Sequence, residues 1–103
     1  FEMWRRFGGP VIESDTIRAN PKAALQVLCD ALGVEFQPSM LSWSAGGRKE
    51  DGVWARHWYH AVHASTGFAA PEGPLPEIKE EHRALYRSAM PIYEEMRATA
   101  LQV

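Results

Sequence analysis

Pro10-Val11-Ile12-Glu13-Ser14 is the only stretch of this 103-residue chain that reads as extended, since Gly8-Gly9-Pro10 breaks any helix before it. A lone strand leaves both rows of its backbone donors and acceptors unpaired, so a strand over 10–14 needs a neighbour. That neighbour is a missing part of the protein or a second copy; otherwise residues 10–14 are not a strand.

The rest reads as helix and turn. Phe1 to Phe7 suits a short helical turn. Asn20 is placed to cap a helix with Pro21 at its first position, Ala24, Leu25, Leu28 and Leu32 follow a 3.6-residue period, and Gly33 supplies a left-handed stop. This predicts a helix over 21–32. Pro38 opens a short helix carrying Met40, Leu41 and Trp43, and Ala45-Gly46-Gly47 forms a loop. Asp51 is placed to cap a second helix over 52–66, in which Trp54, Trp58, Ala61, Val62 and Ser65 recur before Gly67. After the stiff connection of Pro71, Pro74 and Pro76, a third helix is predicted over 77–101, which Pro91 should kink or split. The expected fold is a single domain over 1–103, mostly α with one short strand: an α/β remnant of three principal helices.

Composition narrows the function classes. Thirteen acids against eleven Lys and Arg give a net charge of -2, leaving no positive field for a polyanion, so nucleic acid is not an expected partner. The single Cys29 lies in the apolar series of the 21–32 helix and reads as a small core residue. No apolar run approaches the ~20 residues that span a bilayer, and no basic-then-apolar segment opens the chain, so a cytoplasmic protein without membrane contact is expected. A chain this short buries a modest fraction of its surface, which favours a dimer or another covering partner.

Two clusters bear chemistry. In Gly46-Gly47-Arg48-Lys49-Glu50-Asp51-Gly52-Val53-Trp54, two adjacent cations lie between glycines, a pattern suited to a phosphate, although a solvated loop balanced by Glu50 and Asp51 produces it too. His57, His60 and His63 share one predicted helix, but their spacing does not bring three together on one metal, and packing against aromatic neighbours is their expected fate. Trp54 and Trp58, four apart, read as one buried stripe. The pairs Glu80-Glu81 and Glu94-Glu95 read as solvated helix faces, and these residues contain no G-x-x-x-x-G-K-[ST], G-x-G-x-x-G or G-x-S-x-G.

The order of three segments carries a resemblance. Pro10 to Asp15 is followed by Asn20-Pro21-Lys22-Ala23-Ala24-Leu25 and on through Gly33-Val34, and then by Met40-Leu41-Ser42-Trp43. Together with Asp51-Gly52-Val53-Trp54-Ala55-Arg56-His57-Trp58-Tyr59 and Ser65-Thr66-Gly67-Phe68, they resemble the C-terminal part of bacterial sulfotransferase-like P-loop proteins. The resemblance implies that Gly47, Arg48, Lys49, Gly52 and Trp54 occupy the region that helps hold the 3'-phosphate of 3'-phosphoadenosine 5'-phosphosulfate. The family pattern has glycine directly after the basic pair, where this chain has Glu50. The phosphosulfate loop, the catalytic base and the residues for the other phosphate are implied to lie upstream, in an N-terminal P-loop portion.

The function expected is therefore that of a non-catalytic sulfotransferase-like domain that self-associates and binds no cofactor in isolation. The alternatives are one part of a sulfotransferase completed by another chain, and a small anion-binding module built on Arg48 and Lys49.

Overall fold

A computed structural model of the chain describes residues 1–103. Its best-packed element is α3, Pro21–Leu32. Asn20 accepts the Ala23 N–H through its side chain at 3.3 Å and Pro21 needs no partner for the N–H it lacks. At the other end Gly33 adopts φ 68°, and Val34 N–H returns to Cys29 O at 3.0 Å. The helix buries Ala24 and Cys29. It packs on α2, Ser14–Ala19, and on a 3-10 turn, Pro38–Leu41, where Met40 Sδ lies 4.0 Å from Cys29 Sγ.

Polar contacts fasten the chain's two ends together. Arg5 of α1, Glu2–Phe7, forms a two-pronged pair with Glu95 of α6, Arg83–Arg97, at 2.9 and 3.1 Å. Glu13 accepts the Tyr93 hydroxyl at 2.6 Å and pairs with Arg97 Nε at 3.2 Å. The hydrogen bond that the Tyr93 hydroxyl donates to Glu13 would be lost on ionisation, and this, with partial desolvation and then the charge of Glu13, raises the Tyr93 pKa above the usual 10.0.

The α/β reading is overturned: the structure is mostly helical and has no strand or sheet. Within 10–14 only Val11 pairs, through one parallel bridge to Ala100 with Leu101 N–H on Val11 O at 2.8 Å. Glu13 is already the N-cap of α2, its carbonyl accepting Ile17 N–H. Ser14, Asp15 and Thr16 suit the start of a helix, so too few extended residues remain for a ladder. The segment's one bridge is made within the chain itself, which removes the ground for pairing it with another chain.

The helix expected over 52–66 is also corrected. Gly52 sits at φ 73°, and the helical residues divide into α4, Ala55–Trp58, and α5, His60–Ala64, at Tyr59 with φ -100° and ψ 18°. Ring-bearing and β-branched residues fill this run, and each loses rotamer freedom in a helix, so little local preference resists the break. The helix expected over 77–101 is confined to α6 and the preceding 3-10 turn, Glu80–His82, and Pro91 sits inside α6 without dividing it. Trp54 and Trp58 are 69% and 76% exposed rather than buried.

Only Ala24, Cys29 and Ala55 are buried. The chain exposes 8555 Å², where a folded monomer of this size exposes ~5,800 Å². Its radius of gyration, 16.5 Å, exceeds the ~13 Å typical of 100 residues. No helix is long and apolar enough to cross a membrane.

Candidate functional site

The glycine-flanked basic loop, residues 46–52, hangs from a short pairing of 42–46 with 63–67. Ser42 and Gly67 form an antiparallel bridge, Trp43 N–H donates to Thr66 O at 3.0 Å, and Gly46 N–H donates to His63 O at 2.7 Å. The Trp43 side chain locks this register. Its Nε1–H donates to Ser65 Oγ at 2.9 Å, and its ring meets Phe68 edge-on at 5.4 Å, a favoured aromatic geometry.

The loop then folds around one carboxylate. Asp51 Oδ2 accepts the Arg48 backbone N–H at 2.7 Å and lies 2.9 Å from His63 Nε2, with the two side chains 24% and 27% exposed. An ionised carboxylate only accepts, so His63 Nε2 carries the proton in this contact. Asp51 was expected to cap the following helix; it turns back onto the loop instead. Gly47 lies directly against the His63 ring: a Cβ at this position would stand 3.1 Å from Cε1. The Arg48 N–H, and next the His63 ring, hold the Asp51 pKa below its ordinary 3.8. A depressed carboxylate pKa stabilises the fold above the unfolded value and loses that effect as pH falls through the folded value. The Arg48 amide proton is therefore expected to leave its hydrogen-bonded chemical shift as acid protonates Asp51, with a midpoint under 3.8 in an NMR titration.

This arrangement decides what the cations do. The sequence offered Glu50 and Asp51 as balancing partners, but Asp51 is taken up by a backbone amide and His63, and neither Arg48 nor Lys49 forms an ion pair within the chain. Both are exposed, beside an exposed Glu50. Trp54 lies at the exit of the loop with its ring 6.4 Å from His57. Gly47, Arg48, Lys49 and Gly52 thus share one loop, with Trp54 at its edge. His57 engages Arg56 Nε at 3.1 Å, while His63 engages Asp51 and packs edge-on against Tyr59 at 6.0 Å. The pairing of His63 with Asp51 was not foreseen, because neither local spacing nor periodicity links the two positions.

A separate cleft of about 280 Å³ lies between residues 11–15 and α6, lined by Glu13, Asp15, Tyr93, Met96 and Arg97 among others. Three of its polar groups, Glu13, Tyr93 and Arg97, already satisfy one another.

The fold and loop define a helical lobe that presents two unpaired cations on a shaped turn. The chain belongs to the sulfotransferase domain family, which matches residues 2–100. It is similar to two Arabidopsis thaliana proteins, branched-chain-amino-acid aminotransferase-like proteins 1 and 2, at 42% identity over 88 residues and 40% over 87. These matches cover 85% and 84% of this chain but 16% of each relative, so the chain spans about a sixth of the length of the curated relatives it matches. No solved structure matches it.

Proposed function

We propose that this chain is the phosphate-holding part of a sulfotransferase, presenting Arg48 and Lys49 to one phosphate of 3'-phosphoadenosine 5'-phosphosulfate and performing no transfer by itself. The observation that carries the reading is the pair of cations without an ion-pair partner in a loop where one of the two neighbouring carboxylates, Asp51, is taken up by the Arg48 amide and His63. The fit is to a single phosphate: Arg48 offers a planar fork of donors and Lys49 a point charge, while Glu50 lowers the local potential.

The donor, when bound, supplies the sulfuryl group. Its in-line transfer needs backbone amides around the phosphosulfate and a base for the acceptor, and residues 1–103 contain no phosphate-loop motif to furnish the first. Transfer is therefore assigned to a P-loop portion, in the same or another chain. The surface exposed here beyond that of a folded monomer, on the order of 2,700 Å², exceeds the ~800 Å² that each partner of a standard interface contributes, which supports a covered working form. A second copy of the chain is the alternative cover, and light scattering of the purified protein separates the two.

Adenosine 3',5'-bisphosphate tests the reading through linkage. At ten times its Kd it should stabilise the fold by about 1.4 kcal/mol and raise Tm by several degrees, less so in high salt. No shift at millimolar ligand would remove the assignment of the loop to the nucleotide.

A further inference from the structure

We infer that His63 is the positioning residue of the basic loop, fixing the course of residues 46–51 so that Arg48 and Lys49 face outward together; this rests on the reading of that loop as the phosphate holder. Three contacts converge on His63 from separate points of the loop. Its carbonyl takes the Gly46 N–H at 2.7 Å, its ring lies where a Gly47 Cβ would come within 3.1 Å, and its Nε2 meets Asp51 Oδ2 at 2.9 Å. That carboxylate in turn holds the Arg48 amide at 2.7 Å. Residue 63 thereby holds both ends of the turn, Gly46 through its backbone carbonyl and Asp51 through its imidazole, and only the second of these, with the Arg48 amide that depends on it, rests on the side chain.

The consequence concerns charge. With Asp51 held inward by His63 and the Arg48 amide, the carboxylate is kept from pairing with the Arg48 or Lys49 side chain, a pairing a solvated loop would otherwise sample. Without His63, Asp51 is released toward the cations and competes with an incoming phosphate. Gly47 belongs to the same device, because a methyl group there must displace the His63 ring by a few tenths of an ångström. His63 itself touches no ligand in this scheme; it acts through Asp51 and the backbone.

The test compares four forms of the purified protein, wild type, His63→Ala, His63→Gln and the double variant Arg48→Ala/Lys49→Ala, in adenosine 3',5'-bisphosphate titrations, with hydrogen exchange of the Arg48 amide and the urea midpoint measured in parallel. His63→Ala is expected to weaken binding about tenfold and to expose the Arg48 amide. His63→Gln restores an N–H donor within reach of Asp51 and should return both readouts to near wild type, an outcome that a packing role for the imidazole would not give. Should the double variant lose binding while His63→Ala binds as wild type, the positioning role is overturned and the phosphate reading stands. Wild-type binding by the double variant, or no binding by the wild type, overturns both. An Arg48 amide equally protected in His63→Ala also overturns the inference, whatever the affinities.

Discussion

Trp43→Ala is expected to destabilise the protein by about 2 to 3 kcal/mol, at or below the lower limit of the ~3 to 5 kcal/mol for removing a large buried aromatic side chain, because Trp43 is only half-buried. The indole closes the pairing of 42–46 with 63–67 in two ways that alanine removes together, the hydrogen bond to Ser65 Oγ at 2.9 Å and the edge-on contact with Phe68 at 5.4 Å. With only three buried residues in the chain, few other apolar contacts remain to absorb the loss. The damage should also reach the basic loop, since Gly46 receives its place from the same pairing. Urea denaturation supplies the measurement, with Trp43→Phe as the informative companion. Phe keeps a ring against Phe68 and loses the donor, so a loss of about 1 kcal/mol would apportion the rest to the aromatic contact. A Trp43→Ala midpoint unchanged from wild type would show that the loop is held from elsewhere.

The contrast between what could and could not be read from the residues follows the range of the forces involved. Helix α3 is legible because Asn20, Pro21 and Gly33 act on backbone groups within a turn of themselves, and its apolar period places Ala24 and Cys29 inward without reference to anything distant. Residues 10–14 mislead because two β-branched residues after a helix breaker suggest a strand, whereas a strand exists only if a distant segment completes a ladder; here the distant segment, at Ala100, offers one bridge. The run from Gly52 to Ser65 misleads differently: its period is right for a helix, but periodicity reports which faces are apolar and is silent on whether weakly helical residues sustain continuous hydrogen bonds through Tyr59. That same period suggested burial for Trp54 and Trp58, yet burial requires an extended surface to pack against, and beyond the His57 ring beside Trp54 the chain leaves both indoles largely open. The basic loop stands out in the sequence because Gly47, Arg48, Lys49 and Gly52 are near neighbours. The His63 to Asp51 contact joins an α5 side chain to a loop carboxylate across α4, and only the fold brings them within 2.9 Å.

Reversing both cations, Arg48→Glu with Lys49→Glu, is expected to weaken adenosine 3',5'-bisphosphate binding by more than a hundredfold while moving the urea midpoint little. The asymmetry follows from the same geometry. Neither side chain forms an ion pair within the chain, so reversal breaks no internal pair, and exposed charges contribute about 0 to 1 kcal/mol to stability. Toward a phosphate the balance differs, because two attractions become two repulsions. At contact near a protein surface each unit pair is worth up to about 4 kcal/mol before salt screening, so even a heavily screened reversal exceeds the ~2.7 kcal/mol that a hundredfold change requires. The complementary substitution, Glu50→Gln, removes the one exposed carboxylate beside the cations and should tighten binding by about two- to fivefold, with a steeper dependence on salt. Calorimetric titration at low and high ionic strength checks both. If the double reversal bound the bisphosphate as wild type does, residues 46–52 would be a solvated turn, and the phosphate would have to be held by some other cation of the chain.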